Sequence, residues 1–228
     1  MIRAAPAGDR ILKLGTSTEA AALRAYAGRG AVQLIDADLE SGALLLERLR
    51  PGTNLVDVAD DAAISIALDV MRQLHAAPVS SELPSLAEWT SGIEAAQAAG
   101  FAPALIDRAV HLRAELLASA PMAVLLHGDL HHENILAAER APYLAIDPKG
   151  VAGDAAYEPS VFLYNPMDRA LDARTIARRV DRFAEVFERA RLLGWAFVQA
   201  VLSSWWMVED HGREDARVLA YAAALPDR

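Results

Sequence analysis

The chain has 228 residues, 54% hydrophobic and 23% charged, with a formal net charge of −9 and a pI near 5.1. This composition supports a sizeable core, argues against disorder, and makes nucleic acid or an anionic membrane a poor partner. With no cysteine, disulfide frameworks, thiol nucleophiles and zinc–thiolate sites are excluded. No apolar run approaches the roughly 18 residues of a membrane span, and Met1–Pro6 lacks the apolar core of a signal peptide, so a cytoplasmic protein is expected.

Arg10–Gly15 reads as a strand in which Lys13 sits among apolar neighbours, the pattern of a snorkelling surface lysine. Thr16-Ser17-Thr18 supplies N-cap candidates for a short helix, Glu19–Ala27, closed by Gly28. Ala31–Ile35 and Ala43–Leu46 read as a hairpin whose polar turn is Asp36–Gly42, and Arg50-Pro51-Gly52-Thr53 ends this small sheet. Asp57–His75 then carries Ile64, Ala67, Leu68, Met71 and Leu74 at helical spacing. The acids at its start, Asp57, Asp60 and Asp61, suit a helix N-terminus. Two more helices are expected over 86–99 and 103–119, and three over 172–224, broken near Gly194 and Gly212.

Between these helical regions lies the stretch that carries chemistry. Val124-Leu125-Leu126 and Ile135-Leu136 read as buried strands flanking His127-Gly128-Asp129-Leu130-His131-His132-Glu133-Asn134, and the next apolar run, Tyr143–Ile146, ends in Asp147. A carboxylate at Asp129 can accept a proton from a hydroxyl held within hydrogen-bond reach. The Asn134 amide oxygen and the Asp147 carboxylate are hard donors that suit Mg²⁺ carrying substrate phosphates. One Asp as base, with an Asn and a later Asp on the metal, is the arrangement of phosphoryl transfer. A zinc site from His127, His131, His132 and Glu133 is disfavoured, because adjacent histidines diverge and no His-Glu-x-x-His is present.

The spacing of His127, Asp129 and Asn134 fits the kinase catalytic loop His-x-Asp-x-x-x-x-Asn, and Asp147-Pro148-Lys149-Gly150 stands where protein kinases have Asp-Phe-Gly. With Ala145–Pro159 and Trp205–Gly212, the chain resembles the aminoglycoside and hydroxyurea phosphotransferase family, nearest its streptomycin 6-kinase branch, from about Arg10 to the C-terminus. The resemblance implies an α+β, protein-kinase-like two-lobed fold: a small β-rich N-lobe over 1–50 and a mainly helical C-lobe over 51–228. It implies ATP and Mg²⁺ as cofactors and a hydroxyl of a small polar or cationic substrate, such as streptomycin, as acceptor.

The same resemblance makes Lys13 the holder of the α- and β-phosphates and Glu19 its pairing partner. It places Glu47-Arg48-Leu49 at the hinge, where Glu47 and Leu49 meet the nucleotide base through their backbones. Asp154 is expected to brace the metal loop, against the plainer reading of a turn or N-cap residue. Trp206, Glu209 and Asp210 combine aromatic and acidic groups on one stretch of helix and are candidates for the substrate's cationic groups.

One feature departs from the family pattern. Only twelve residues precede Lys13, and Met1–Arg10 has a single glycine, Gly8. A truncated N-lobe is therefore expected, with no Gly-rich loop, no hairpin ahead of Lys13, and three strands leaving an open edge. The competing expectation is a weak or inactive kinase-like remnant acting as a binding module.

Overall fold

The computed structural model describes residues 4–6, 8–169 and 171–226. By internal contacts the chain forms two units, the first comprising residues 1–84 with 123–152 and the second 85–122 with 153–228. The break expected at residue 50 therefore lies inside the first unit.

The first unit begins with a four-stranded sheet in the order β1-β2-β4-β3: β1 is Ala4–Pro6, β2 Arg10–Leu14, β3 Leu34–Asp38 and β4 Ala43–Glu47. All three pairings are antiparallel, with Lys13 opposite both Ala4 and Leu44. This corrects the expectation of three strands with an open edge, since β1 adds a fourth strand and covers the edge of β2. The parts of the expectation that fall on residues 1–3 and 7 lie outside the described residues. Side chains alternate across a strand. Ile11 and Lys13 therefore share the face of Leu44 and Leu46, while Leu12 and Leu14 are exposed. A lysine inside with leucines outside inverts the usual pattern, and the snorkelling reading of Lys13 is wrong: it is 3% exposed.

The hairpin after it is shifted from its expected position. Ala31 makes only an isolated bridge to Ala145, and β3 begins at Leu34 with an irregularity before Asp36. The Asp38 carboxylate collects the Ser41 hydroxyl and the Glu40 and Ser41 N–H groups, so the turn is tighter than the apolar runs suggest. Helix α1 (Ser17–Tyr26) is N-capped by Thr16, whose hydroxyl accepts from the Glu19 N–H at 3.1 Å. Helix α2 (Asp60–His75) buries Ile64, Ala67, Val70, Met71 and Leu74, with Asp60 and Asp61 in its first turn. Strand β5 (Pro51–Asn54) pairs with β7 (Ile135–Ala138), and β7 pairs with β8 (Tyr143–Ala145). Strand β6 (Val124–Leu126) pairs with β9 (Val151–Gly153).

The second unit is helical: α3 (Leu86–Trp89), α4 (Gly92–Ala98), α5 (Pro103–Ala118), α6 (Ser160–Tyr164), α7 (Ala173–Phe183), α8 (Arg189–His211) and α9 (Ala216–Ala224). Every residue of α8 from Leu192 to Leu202 is buried, which marks a central helix packed on all sides. The expected break at Gly194 is therefore absent. A glycine in a helix interior costs about 1 kcal/mol, less than the burial of Trp195 or Phe197 alone returns. The chain breaks instead before Glu188, whose carboxylate caps α8 through the Ala190 and Arg191 N–H groups, and again at Gly212, with φ of 69°. Among the described residues, no helix is long and apolar enough to cross a membrane.

Candidate active site

The loop between β6 and β7 is built around His127 and Leu130, both fully buried. The His127 Nδ1 accepts from the Asp129 N–H at 3.3 Å, which leaves the proton on Nε2 to be donated to the Ile146 carbonyl at 2.8 Å. The His127 carbonyl accepts from the Lys149 and Gly150 N–H groups at 2.7 and 3.2 Å. One histidine thus ties the Asp129 loop to both sides of Asp147. Asn134 closes a 3-10 turn, His132–Asn134, and its side-chain amide donates to the Asp129 carbonyl at 2.8 Å. The Asn134 carbonyl accepts from the Ile146 N–H at 2.9 Å, which sets Asp147 beside it.

Asp147 has a φ of 59°, the left-handed region that non-glycine residues seldom enter and that is often held at functional sites. Its Oδ1 takes the Lys13 ammonium at 2.6 Å, and Glu19 Oε1 takes the same ammonium at 2.7 Å. Lys13 is therefore held between two carboxylates that come from α1 and from the end of the β7–β8 hairpin. Burial raises the Glu19 pKa above its usual 4.5, and the Lys13 hydrogen bond and charge pull it back down. A Cβ at Gly15 would collide with the Glu19 carboxylate and the Leu44 side chain, so a larger residue there would displace them.

Two cavities meet this set of charges, both within the first unit. One, of about 410 Å³, has apolar walls from Ile11, Val32, Leu46, Leu136 and Ile146, with Glu47–Gly52 along its rim and Lys13 and Asp147 at its polar part. The Leu49 N–H on that rim enters no hydrogen bond among the described residues. The other, of about 340 Å³, is lined by Lys13, Gly15, Thr16, Glu19, Asp147 and Lys149. Sequence reasoning missed the role of Arg140, which donates to the Glu47 carboxylate and to the Gly28 and Ala31 carbonyls. The Glu47 carboxylate is thereby taken up by Arg140 and by the Gln33 N–H.

Asn134 and Asp147 fit a divalent ion by chemistry. The Asn134 amide nitrogen is spent on Asp129, which reserves its oxygen, and Asp147 has a second carboxylate oxygen besides the one on Lys13. Among the described residues no group of three or more His, Asp or Glu side chains could hold a metal ion.

The candidate substrate residues lie in the second unit. Trp206 packs edge-on against Trp89, with ring centroids 5.4 Å apart. Glu209 and Asp210 are exposed on the last turns of α8. Trp205 packs on Phe101, and its buried indole N–H has no partner among the described residues. Asp154 follows the plainer reading: it caps a 3-10 turn through the Ala156 N–H. It is also buried, and its Oδ2 receives Arg191 and the Trp195 indole at 2.8 Å, pairings with no local sequence signal.

The fold is α+β and that of small-molecule kinases: it matches a choline/ethanolamine kinase family protein from Mesorhizobium loti with a TM-score of 0.70 at 17% identity, covering 97% of this chain and 81% of that one. A thermostable mutant of an aminoglycoside phosphotransferase, in ternary complex with ADP and hygromycin B, matches with a TM-score of 0.65 at 14% identity over 98% and 94% of the two chains. The chain belongs to the aminoglycoside/hydroxyurea antibiotic resistance kinase family, which matches residues 8–211. It is 35% identical over 202 residues to a streptomycin 6-kinase of Streptomyces griseus, covering 82% of this chain and 66% of that protein, so it spans just under two thirds of that relative's length.

Proposed function

We propose that the chain transfers the γ-phosphoryl group of ATP to a hydroxyl of a small, polar, cationic molecule, an aminoglycoside such as streptomycin. The observation that carries this reading is Lys13 held between Glu19 and Asp147 at the junction of the two cavities. The larger cavity has the size and apolar walls for a purine base, with the Leu49 N–H on its rim as a donor and the Glu47 backbone beside it. The smaller cavity suits the phosphates. An ammonium has three N–H donors. Two of Lys13's are taken by carboxylates, which leaves the third for the α- and β-phosphates.

Asp129 accepts the hydroxyl proton as the substrate oxygen bonds to the γ-phosphorus. The bond to the bridging oxygen breaks and ADP leaves. Asn134 and Asp147 would hold Mg²⁺, which when bound neutralises phosphate charge. In this reading the division into a lobe over 1–50 and a lobe over 51–228 is functional: the first carries Lys13, Glu19, Glu47 and Leu49, the second Asp129, Asn134 and Asp147. Trp206, Glu209 and Asp210 would meet the cationic groups of the substrate through aromatic faces and carboxylates. The net charge of −9 favours the approach of such a cation. ATP as donor puts the reaction in the cytoplasm.

The test is phosphate transfer from ATP with Mg²⁺ to streptomycin, and in a parallel arm to hydroxyurea, by the purified protein and by Asp129→Ala. Removal of a general base is expected to cost about 10²- to 10⁴-fold in kcat. Turnover undiminished in Asp129→Ala removes the base from this scheme, and transfer to hydroxyurea alone removes the aminoglycoside.

A further inference from the structure

Of the charged side chains that line the smaller cavity, the reaction above uses Lys13, Glu19 and Asp147 but not Lys149. The Lys149 ammonium lies 3.3 Å from Asp129 Oδ2, the oxygen-bearing group assigned to the acceptor side. Lys149 therefore reaches both the cavity assigned to the phosphates and the carboxylate assigned to the base. Its backbone is fixed: its N–H is bonded to the His127 carbonyl at 2.7 Å. Its stem is fixed as well, because it lies over Gly128. A Cβ built at residue 128 would meet Lys149 Cβ at 3.3 Å and Val151 Cγ2 at 3.1 Å, and the φ of 83° there also calls for glycine. The glycine at the second place of His-Gly-Asp thus leaves room for a lysine arriving from the loop after Asp147.

We infer that Lys149 is a catalytic cation that binds the transferring γ-phosphoryl group and bridges it to Asp129. The inference rests on the phosphotransferase reading. A carboxylate base and an anionic phosphoryl group must come within a few ångströms of each other, and they repel. One ammonium between them removes that repulsion. It spends one N–H on Asp129 and offers the others to the equatorial phosphoryl oxygens, where charge is spread in the transition state. At 38% side-chain exposure, Lys149 is not locked into its contact with Asp129 and can turn toward a ligand.

The experiment compares Mg²⁺-dependent binding of ADP and of a non-hydrolysable ATP analogue to the unaltered chain, Lys149→Met and Lys149→Arg. Methionine keeps the stem over Gly128 without the charge. A charge-assisted hydrogen bond to the γ-phosphate supports roughly tenfold or more in affinity. Lys149→Met is expected to lose about tenfold toward the ATP analogue with ADP binding unchanged, and Lys149→Arg to recover most of the loss. Equal affinity of Lys149→Met and the unaltered chain for the ATP analogue overturns the inference, because a surface ion pair alone would give that result. A parallel loss for ADP and the analogue also overturns it, by making Lys149 a support of the whole loop. If the unaltered chain binds neither nucleotide, the phosphotransferase reading falls and this inference with it.

Discussion

Replacing Lys13 by methionine isolates the electrostatics of the site, because methionine fills the same volume and leaves no void. Lys13 is 2% exposed at its side chain, Glu19 7% and Asp147 23%. Removing one partner of a buried ion pair costs about 3–5 kcal/mol, since the remaining charge stays buried and unpaired. Asp147 can recover part of its loss from water, so a value near the lower limit, about 3 kcal/mol, is expected. At this chain length that is a fall in Tm of about 6–12 °C.

The deficit should also depend on pH. Burial already raises the Glu19 pKa above 4.5, and Asp147 pushes the same way while Lys13 opposes both. A raised carboxyl binds more protons folded than unfolded between 4.5 and its folded pKa, so its stability contribution is complete below 4.5 and is lost as pH rises through the folded value. Without Lys13 that window widens upward. Lys13→Met should therefore be least damaging below pH 4.5 and most damaging near neutrality. Adding Glu19→Gln should return a substantial part of the loss at neutral pH. Urea denaturation across this range measures it, and a deficit below about 1 kcal/mol, or one constant with pH, refutes the assignment of a buried, charge-coupled triad.

Three other outcomes test separate parts of the structure. Asp154→Ala leaves the fully buried Trp195 indole without its acceptor and removes the carboxylate from Arg191, which keeps Ser119 and Leu116, so about 3 kcal/mol, the lower limit for a broken buried pair, should be lost in urea denaturation with Asp154→Asn milder; a loss near zero would show the pair to be dispensable. Arg140→Ala removes bonds to Glu47, Gly28 and Ala31, yet the side chain is 41% exposed, so only about 1–2 kcal/mol should be lost. Because Glu47 lies on the rim of the larger cavity, ADP affinity measured by titration calorimetry should weaken in the same variant. Gly128→Ala should lower stability and ATP-analogue affinity together, since a Cβ there meets the Lys149 stem; unchanged binding would separate Gly128 from Lys149.

The residues of the Asp129 loop were legible because their chemistry is local. His127, Asp129 and Asn134 stand at fixed spacing between two apolar runs, and hydrogen bonds inside that stretch hold them. The caps at Thr16 and Gly212 were legible for the same reason, since each acts within a few residues of itself. Local pattern failed where burial was decided by distant partners. Lys13 reads as a surface residue by alternation, yet it is buried between Glu19 and Asp147, the latter 134 residues away. Gly194 reads as a helix break, and only packing around α8 overrides its propensity. Arg140 and Glu47 are 93 residues apart, and Asp154 and Arg191 are 37 apart, each pair joined by tertiary folding alone. The sequence by itself determined the spacing of His127, Asp129 and Asn134 and the local bonds that hold their loop, because those bonds join near neighbours in the chain. The tertiary structure decided which charges share a cavity, because burial and pairing are set by strands and helices that meet only when the chain has folded.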